Sequence, residues 1–439
     1  MIRKRRQLMA ALPLALLQPL TLGGCSGRGA GTSGITELHM WAMGREGEVV
    51  QQLLADFERA NPSIRVKVQQ MPWLSAQEKL LTAFAGDVTP DLCQLGNTWI
   101  PQFAALGAIA ALDVRVKQGA GKDNGDGDGV AADDYFPGIW ESNRLGASLY
   151  GVPWYVDTRL LYYRKDLLAA TGRTEVPATW SGWIEAMADI KRSRPNDFGV
   201  LLPTNEYEQL LSFALQQQAP LLRDGGRYGD FRNPAFRRTL GFYSGLFSSS
   251  LAPRLSTTSI SNVWDEFGKG YFTFYISGPW NIGEFKRRLP PSQQASWMTA
   301  ALPGPDGPGA SLAGGASLVV FKKSPRQDAA WKVVEYLSRP AVQRRFYQLT
   351  GNLPPRRSAW DDPVLSGDVY AAAFRDQLER AKSPPKVPEW ERIGTEMRVV
   401  TEALVAGRTT LDQAVTELDA RTDRILEKRR WMLARGSLP

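Results

Sequence analysis

The stretch GVPWYVDTRLLYYRKD, residues 151–166, decides the reading of this chain. It holds a turn at Gly151 and Pro153, four rings (Trp154, Tyr155, Tyr162, Tyr163) and one early acid, Asp157. An apolar, β-prone run from Leu160 to Tyr163 follows and is closed by Arg164 to Asp166. A strand-like segment with flat rings and a carboxylate at its start suits a crossing between two lobes. Ring faces there stack on a ligand and the acid takes its hydroxyls. The same residues also fit an ordinary core strand with a Tyr-rich face, so the rest of the chain has to arbitrate.

At 439 residues the chain has room for two or three domains. It carries 14 Trp, an unusual number for a residue whose N–H wants a partner, and this favours a binding surface. The formal charge of +8 falls to +4 once Arg3, Lys4, Arg5 and Arg6 are set aside as part of a removed segment. No basic stripe with interleaved aromatics argues for nucleic acid. One His (His39) and two Cys (Cys25, Cys93) exclude a Cys/His zinc cluster and argue against a Ser-His-Asp triad. His39 lies in a short apolar run and is expected to be a core imidazole. No cofactor and no metal are expected.

Residues 1–24 read as an export signal, a basic start followed by an apolar run broken by Pro13 and Pro19. Leu22-Gly23-Gly24-Cys25 resembles a bacterial lipobox, in which the Cys becomes the lipid-bearing N-terminus; a plain signal peptide with a chance Cys is the alternative. Residues 25–34 are a Gly/Ser tether. From Ile35 the pattern is β-α-β, with Val49, Val50, Leu53, Leu54 and Phe57 on one helix face, and mostly parallel strands are expected. Asn124, Asp126, Asp128 and Gly129 echo the start of a calcium loop, but Tyr135 stands where the closing Glu belongs, and the segment reads as a solvated loop. Helices are predicted over Trp180–Ser193, Tyr207–Gln217 and Ala235–Phe247, an aromatic strand over Tyr271–Ile276, and a long helical end from Trp390 to Met432.

An ordered series of segments then carries a resemblance: W-x-x-G-R-E at 41–46, FERANPSIRV, TPDLCQLGNTWIPQFAALGAIAALD, the central stretch, FGKGYFTFYISGPW, GGASLVVFKKS, AWKVVEYLS, GNLPPRRSAW and TLDQAVTEL. From Ile35 to about Glu427 the chain resembles the sugar-binding class of extracellular solute-binding proteins of ABC importers, the group of the maltose- and trehalose/maltose-binding proteins. The resemblance implies an α/β, two-lobed, periplasmic-binding-protein-like fold of type II, with a hinge of crossing segments and a ligand cleft between the lobes. Residues 35–155 and 314–358 would form the N-terminal lobe, and 156–313 and 359–439 the C-terminal lobe. It also implies a di- or oligosaccharide ligand, ABC permease subunits as partners, a lipid anchor at Cys25, a periplasmic or cell-surface location, a monomer, and no enzymatic activity.

The candidate ligand residues follow from that position and from sugar chemistry. Trp41, Arg45 and Glu46 lie in the loop after the first strand. Asn97 and Thr98 end the PDL strand, where better-known relatives carry an acid. Tyr155 and Asp157 sit at the first crossing, and Trp280 in the GPW loop. Gly314 and Gly315 give close backbone approach at the second crossing, and Arg356 follows Leu-Pro-Pro. Trp73 and Trp390 are lesser candidates; Trp73, Trp99 and Trp390 read more readily as core or rim. Two other readings stand beside this one. A secreted carbohydrate-active enzyme would use Asp157 and Glu46 as its carboxylate pair. A same-fold receptor would take a non-sugar solute.

Overall fold

The computed structural model describes residues 34–119, 129–218 and 220–436. The export segment, Cys25, most of the tether, and Asn124, Asp126 and Asp128 lie outside the described residues. The principal strands, in chain order, are β1 (Thr36–Met43), β2 (Ile64–Met71), β3 (Leu92–Gly96), β4 (Val152–Asp157), β5 (Leu160–Arg164), β6 (Phe198–Leu201), β7 (Phe272–Ser277), β8 (Trp297–Ala300) and β9 (Gly314–Val320). They form two sheets, ordered β2-β1-β3-β9-β4 and β8-β5-β7-β6. The expectation of mostly parallel strands is corrected. β1 is parallel to β2 and β3, and β7 to β6, but β9 runs antiparallel to both β3 and β4, and β5 runs antiparallel to β7 and β8. The cause is topological: the chain crosses from β4 directly into β5 and returns from β8 into β9, so each sheet receives a strand from the other side.

The central stretch is where this happens. β4 belongs to the first sheet and β5 to the second, with only Thr158 and Arg159 between them. Strand alternation then sorts the rings of β5. Leu161 and Tyr163 face one core, with Trp183, Phe213, Phe274 and Trp390. Leu160 and Tyr162 face another, with Phe272, Phe285, Trp297 and Trp360. The first sheet is likewise covered on both faces. The helix Gly44–Ala60 buries Val49, Val50, Leu53, Leu54 and Phe57 on one face, as its 3.6-residue spacing predicts. The other face meets Leu80, Ile100 and Phe103. Cys93 is fully buried in β3, and burial pushes its thiol well above the ordinary value. All of this lies within one compact unit, Ile35–Pro439.

Two other expectations change. His39 is exposed, not core: it falls on the outward side of β1 between inward-facing Leu38 and Met40, and lies 3.6 Å from Glu37. The long helical end is three helices, Trp390–Val405, Leu411–Ile425 and Glu427–Ala434. The break before Leu411 is built by a capping box, in which the Thr410 hydroxyl accepts from the Gln413 N–H and the Gln413 side chain accepts from the Thr410 N–H. No helix among the described residues is long and apolar enough to cross a membrane.

Candidate functional site

The loops at one end of the two sheets enclose a cavity of about 640 Å³. From the first sheet come Gly44, Arg45 and Glu46 after β1, Gly96 to Trp99 after β3, Tyr155 and Asp157 at the end of β4, and Gly314 and Gly315 at the start of β9. From the second come Tyr207 and Glu208 beyond β6 and Trp280 beyond β7. Carboxyl ends of strands in α/β sheets offer this kind of crevice, because the loops that leave them are free to vary.

Glu46 stands in the first turn of the helix Gly44–Ala60, buried, and its Oε1 accepts from Asn352 Nδ2 at 2.6 Å. Burial raises its pKa, against the hydrogen bonds it accepts from its own backbone, Asn352, Trp73 and Tyr155. The Tyr155 hydroxyl accepts from Gln94 Nε2 at 3.1 Å, and Gln94 is held in turn by the Met43 N–H. Asp157 pairs with Arg159 across Thr158. Burial raises the Asp157 pKa and the Arg159 guanidinium pulls it back. Burial acts to lower the Arg159 pKa, but Asp157, Glu208 and Glu206 outweigh it and the net shift is upward. The same guanidinium lies 4.9 Å from the centre of the Trp280 ring. Trp280 itself is 37% exposed, a large ring turned to solvent beside a charged pair.

The opposite wall is acidic. Glu391, at the start of the helix Trp390–Val405, is bonded to Thr98 and lies 3.5 Å from the Tyr207 hydroxyl. Burial raises its pKa, the Thr98 bond opposes that, and the Glu208 charge adds to it. Trp73 and Trp99 meet edge to face, with ring centres 5.6 Å apart, at the first-sheet side. Backbone packing closes the floor. Gly315 has φ +130°, and a Cβ there would lie 2.3 Å from the Tyr155 carbonyl oxygen; at Gly314 it would lie 2.2 Å from that of Asp157.

The cavity brings together Arg45, Glu46, Trp73, Asn97, Thr98, Tyr155, Asp157, Trp280, Gly314 and Gly315 from the sequence candidates. It does not include Trp41 or Arg356. β1 runs on to Met43, so Trp41 is inside a strand and not in a loop; it lines a groove with His39, Asp91 and Arg326 at the opposite end of the first sheet. Arg356 is buried and paired with Asp134 at 2.6 Å, and it donates to the Gly129 and Ser338 carbonyls, which makes it a structural cation. Asn97 is in the cavity wall but its amide is committed to the Ala313 carbonyl and the Ser142 hydroxyl. Trp390, a lesser candidate, is core and does not line the cavity. Trp99, read as core or rim, lines the cavity.

Sequence reasoning missed Arg159, Tyr207, Glu208, Asn352 and Glu391. Arg159 was within reach, two residues past Asp157 in the deciding stretch. Glu208 and Glu391 open helices, where an acid is ordinary because it suits the helix dipole, so nothing in the pattern singles them out. Among the described residues no group of three or more His, Cys, Asp or Glu side chains is placed to hold a metal ion.

Two α/β lobes with a ring- and carboxylate-lined cavity between their loop ends define a two-lobed ligand receptor. The model of the bacterial extracellular solute-binding proteins matches residues 42–344, and the chain belongs to that family. The solved structure of the sugar-binding protein MalE from the phytopathogen Xanthomonas citri is 54% identical, with a TM-score of 0.86, over 91% of this chain and 99% of that one. The diacetylchitobiose binding protein DasA of Streptomyces coelicolor is 24% identical over 426 residues, 93% of this chain and 96% of that protein. The GacH receptor of Streptomyces glaucescens, 23% identical with a TM-score of 0.75, shares the fold over 89% of this chain.

Proposed function

We propose that the protein is the sugar-capturing component of an ABC importer, taking an uncharged di- or oligosaccharide into the interlobe cavity and delivering it to a permease. The observation that carries this reading is the wall chemistry. Trp280, Trp73, Trp99, Tyr155 and Tyr207 offer ring faces to the C–H faces of a sugar, and Glu46, Asp157, Glu208 and Glu391 offer acceptors to its hydroxyls. Four carboxylates against the two cations Arg45 and Arg159 disfavour a phosphorylated or otherwise anionic ligand. Likeness to the Xanthomonas citri sugar-binding protein supports the same class of ligand. Maltose and trehalose are the first sugars to test. In this reading residues 35–155 and 314–358 close against 156–313 and 359–439, the receptor does no chemistry, works as a monomer, and is held at the membrane by lipid on Cys25.

The test is calorimetric titration of the unit Ile35–Pro439 with maltose, trehalose, sucrose and maltotriose, repeated with Trp280→Ala and Asp157→Ala. Binding in the micromolar range with sugar recovered intact, and a loss of roughly tenfold or more in each variant, is expected. Silence across the panel rejects the maltose and trehalose assignment. Cleaved sugar rejects the receptor in favour of an enzyme.

A further inference from the structure

We propose that the C-terminal helix Glu427–Ala434 and the hairpin beneath it form a docking surface for an anionic lipid headgroup layer, separate from the cavity. The helix buries none of its residues, so core packing does not explain its composition. Its two sides differ. On the inner side Arg429 donates to the Gly226 carbonyl at 3.1 Å and Arg430 to the Arg227 carbonyl at 3.0 Å, tying the helix to the hairpin Leu222–Arg223/Tyr228–Gly229. On the outer side Lys428, Trp431, Met432 and Arg435 follow at helical spacing and share one stripe. Trp431 is 53% exposed, and the Arg435 guanidinium lies 4.1 Å from the centre of its ring.

The charge around that stripe is one-sided. Arg223 and Arg430 both stack on Tyr228, at 4.6 and 4.7 Å from the ring centre, which crowds two guanidiniums onto one ring. Arg223 has Asp224 as a partner at 3.1 Å. Arg227, Lys428, Arg430 and Arg435 form no ion pair among the described residues, and Glu427 is the one acid on the helix. An exposed indole flanked by unpaired cations on a surface helix matches the chemistry of a bilayer interface, where the ring enters the headgroup level and the cations meet phosphates. An acidic protein surface would satisfy the cations but not the half-exposed Trp431 and Met432 stripe, so the lipid layer is the better fit. The surface works with or without a lipid on Cys25; its effect would be to set how the two-lobed unit faces the membrane.

Co-sedimentation of Ile35–Pro439 with vesicles tests this, because that unit lacks the export segment and Cys25. The protein is expected to pellet with phosphatidylcholine vesicles containing phosphatidylglycerol, not with phosphatidylcholine alone, and to be released by about 0.5 M salt. Lys428→Glu/Arg430→Glu/Arg435→Glu is expected to lower the bound fraction at least about tenfold, and Trp431→Ala to lower it less. Lys79→Glu/Lys117→Glu/Lys332→Glu makes the same change in net charge at exposed positions elsewhere and is expected to bind as the parent does. Thermal melts of all variants keep misfolding from mimicking the result. No pelleting of the parent, equal pelleting on neutral vesicles, or equal losses in the two triple variants would each overturn the proposal.

Discussion

At the scale of single residues, Arg159 is the hinge of the site's electrostatics. It is the largely buried cation beside Asp157, it lies against Trp280, and it faces the Glu206 and Glu208 charges. Replacing it with Gln leaves burial to act on Asp157 unopposed, so the Asp157 pKa moves further up. Arg159→Gln is therefore expected to weaken sugar binding by roughly tenfold at neutral pH. The loss should deepen as pH falls and Asp157 takes up its proton. Arg159→Lys should recover part of the affinity and flatten the pH dependence. Titrations at mildly acidic and mildly alkaline pH check this; a loss that is the same at both would remove Arg159 from the control of Asp157. The sequence reading erred in two ways, by residues missed and by residues wrongly included. Asn352 reaches Glu46 from 306 positions along the chain, a distance that no spacing argument spans. Trp41 and Arg356 failed for different reasons: β1 runs on past Trp41 to Met43, and Arg356, itself buried, finds a partner in Asp134, 222 positions away.

Elements were far more legible than contacts. The helix Trp180–Ser193 was readable to the residue, because Thr179 caps it and Trp180, Trp183, Ala186, Met187 and Ile190 repeat at helical spacing. The antiparallel β9 was not readable, since strand direction is set by which lobe the chain returns from and not by local pattern. Thr410→Ala removes one partner of the capping box and should cost about 1 kcal/mol in chemical denaturation, with sugar affinity unchanged, because the box lies away from the cavity. Gly278→Ala should do the reverse. A Cβ at that turn would lie 1.8 Å from the Trp280 ring, so the ring must swing from its place beside Arg159. Affinity should fall several-fold or more while the melting temperature moves little; an unchanged affinity would mean that the ring's position is immaterial.

For the whole molecule the acids in and beside the cavity make stability depend on pH in a particular direction. Burial raises the pKa values of Glu46, Asp157, Glu206 and Glu391. The folded state therefore holds these protons more tightly than the unfolded state does. Their contribution to stability falls as pH rises from the ordinary carboxylate range through the raised values, and it is recovered on acidification. Asp166, Glu284 and Asp368 have lowered pKa values, and what they contribute is lost only as pH drops below the ordinary range. The unliganded protein should thus melt highest on the acid side of neutrality. Glu391→Gln removes one of the crowded charges and should raise the neutral-pH melting temperature by about 1–2 °C while reducing its fall with pH. Differential scanning calorimetry across the pH range reads both effects, and a parent optimum on the alkaline side would contradict the sign.

The burial of Cys93 has a practical side. Within Ile35–Pro439 it is the sole thiol, sealed inside β3 with its pKa pushed up, so it is neither reachable nor ionised under ordinary labelling conditions. The unit is in effect silent toward maleimide dyes without any cysteine being removed. A single cysteine placed at Leu74, fully exposed beside the cavity-lining Trp73, would then carry the only fluorophore, and the receptor becomes an optical gauge of its own ligand.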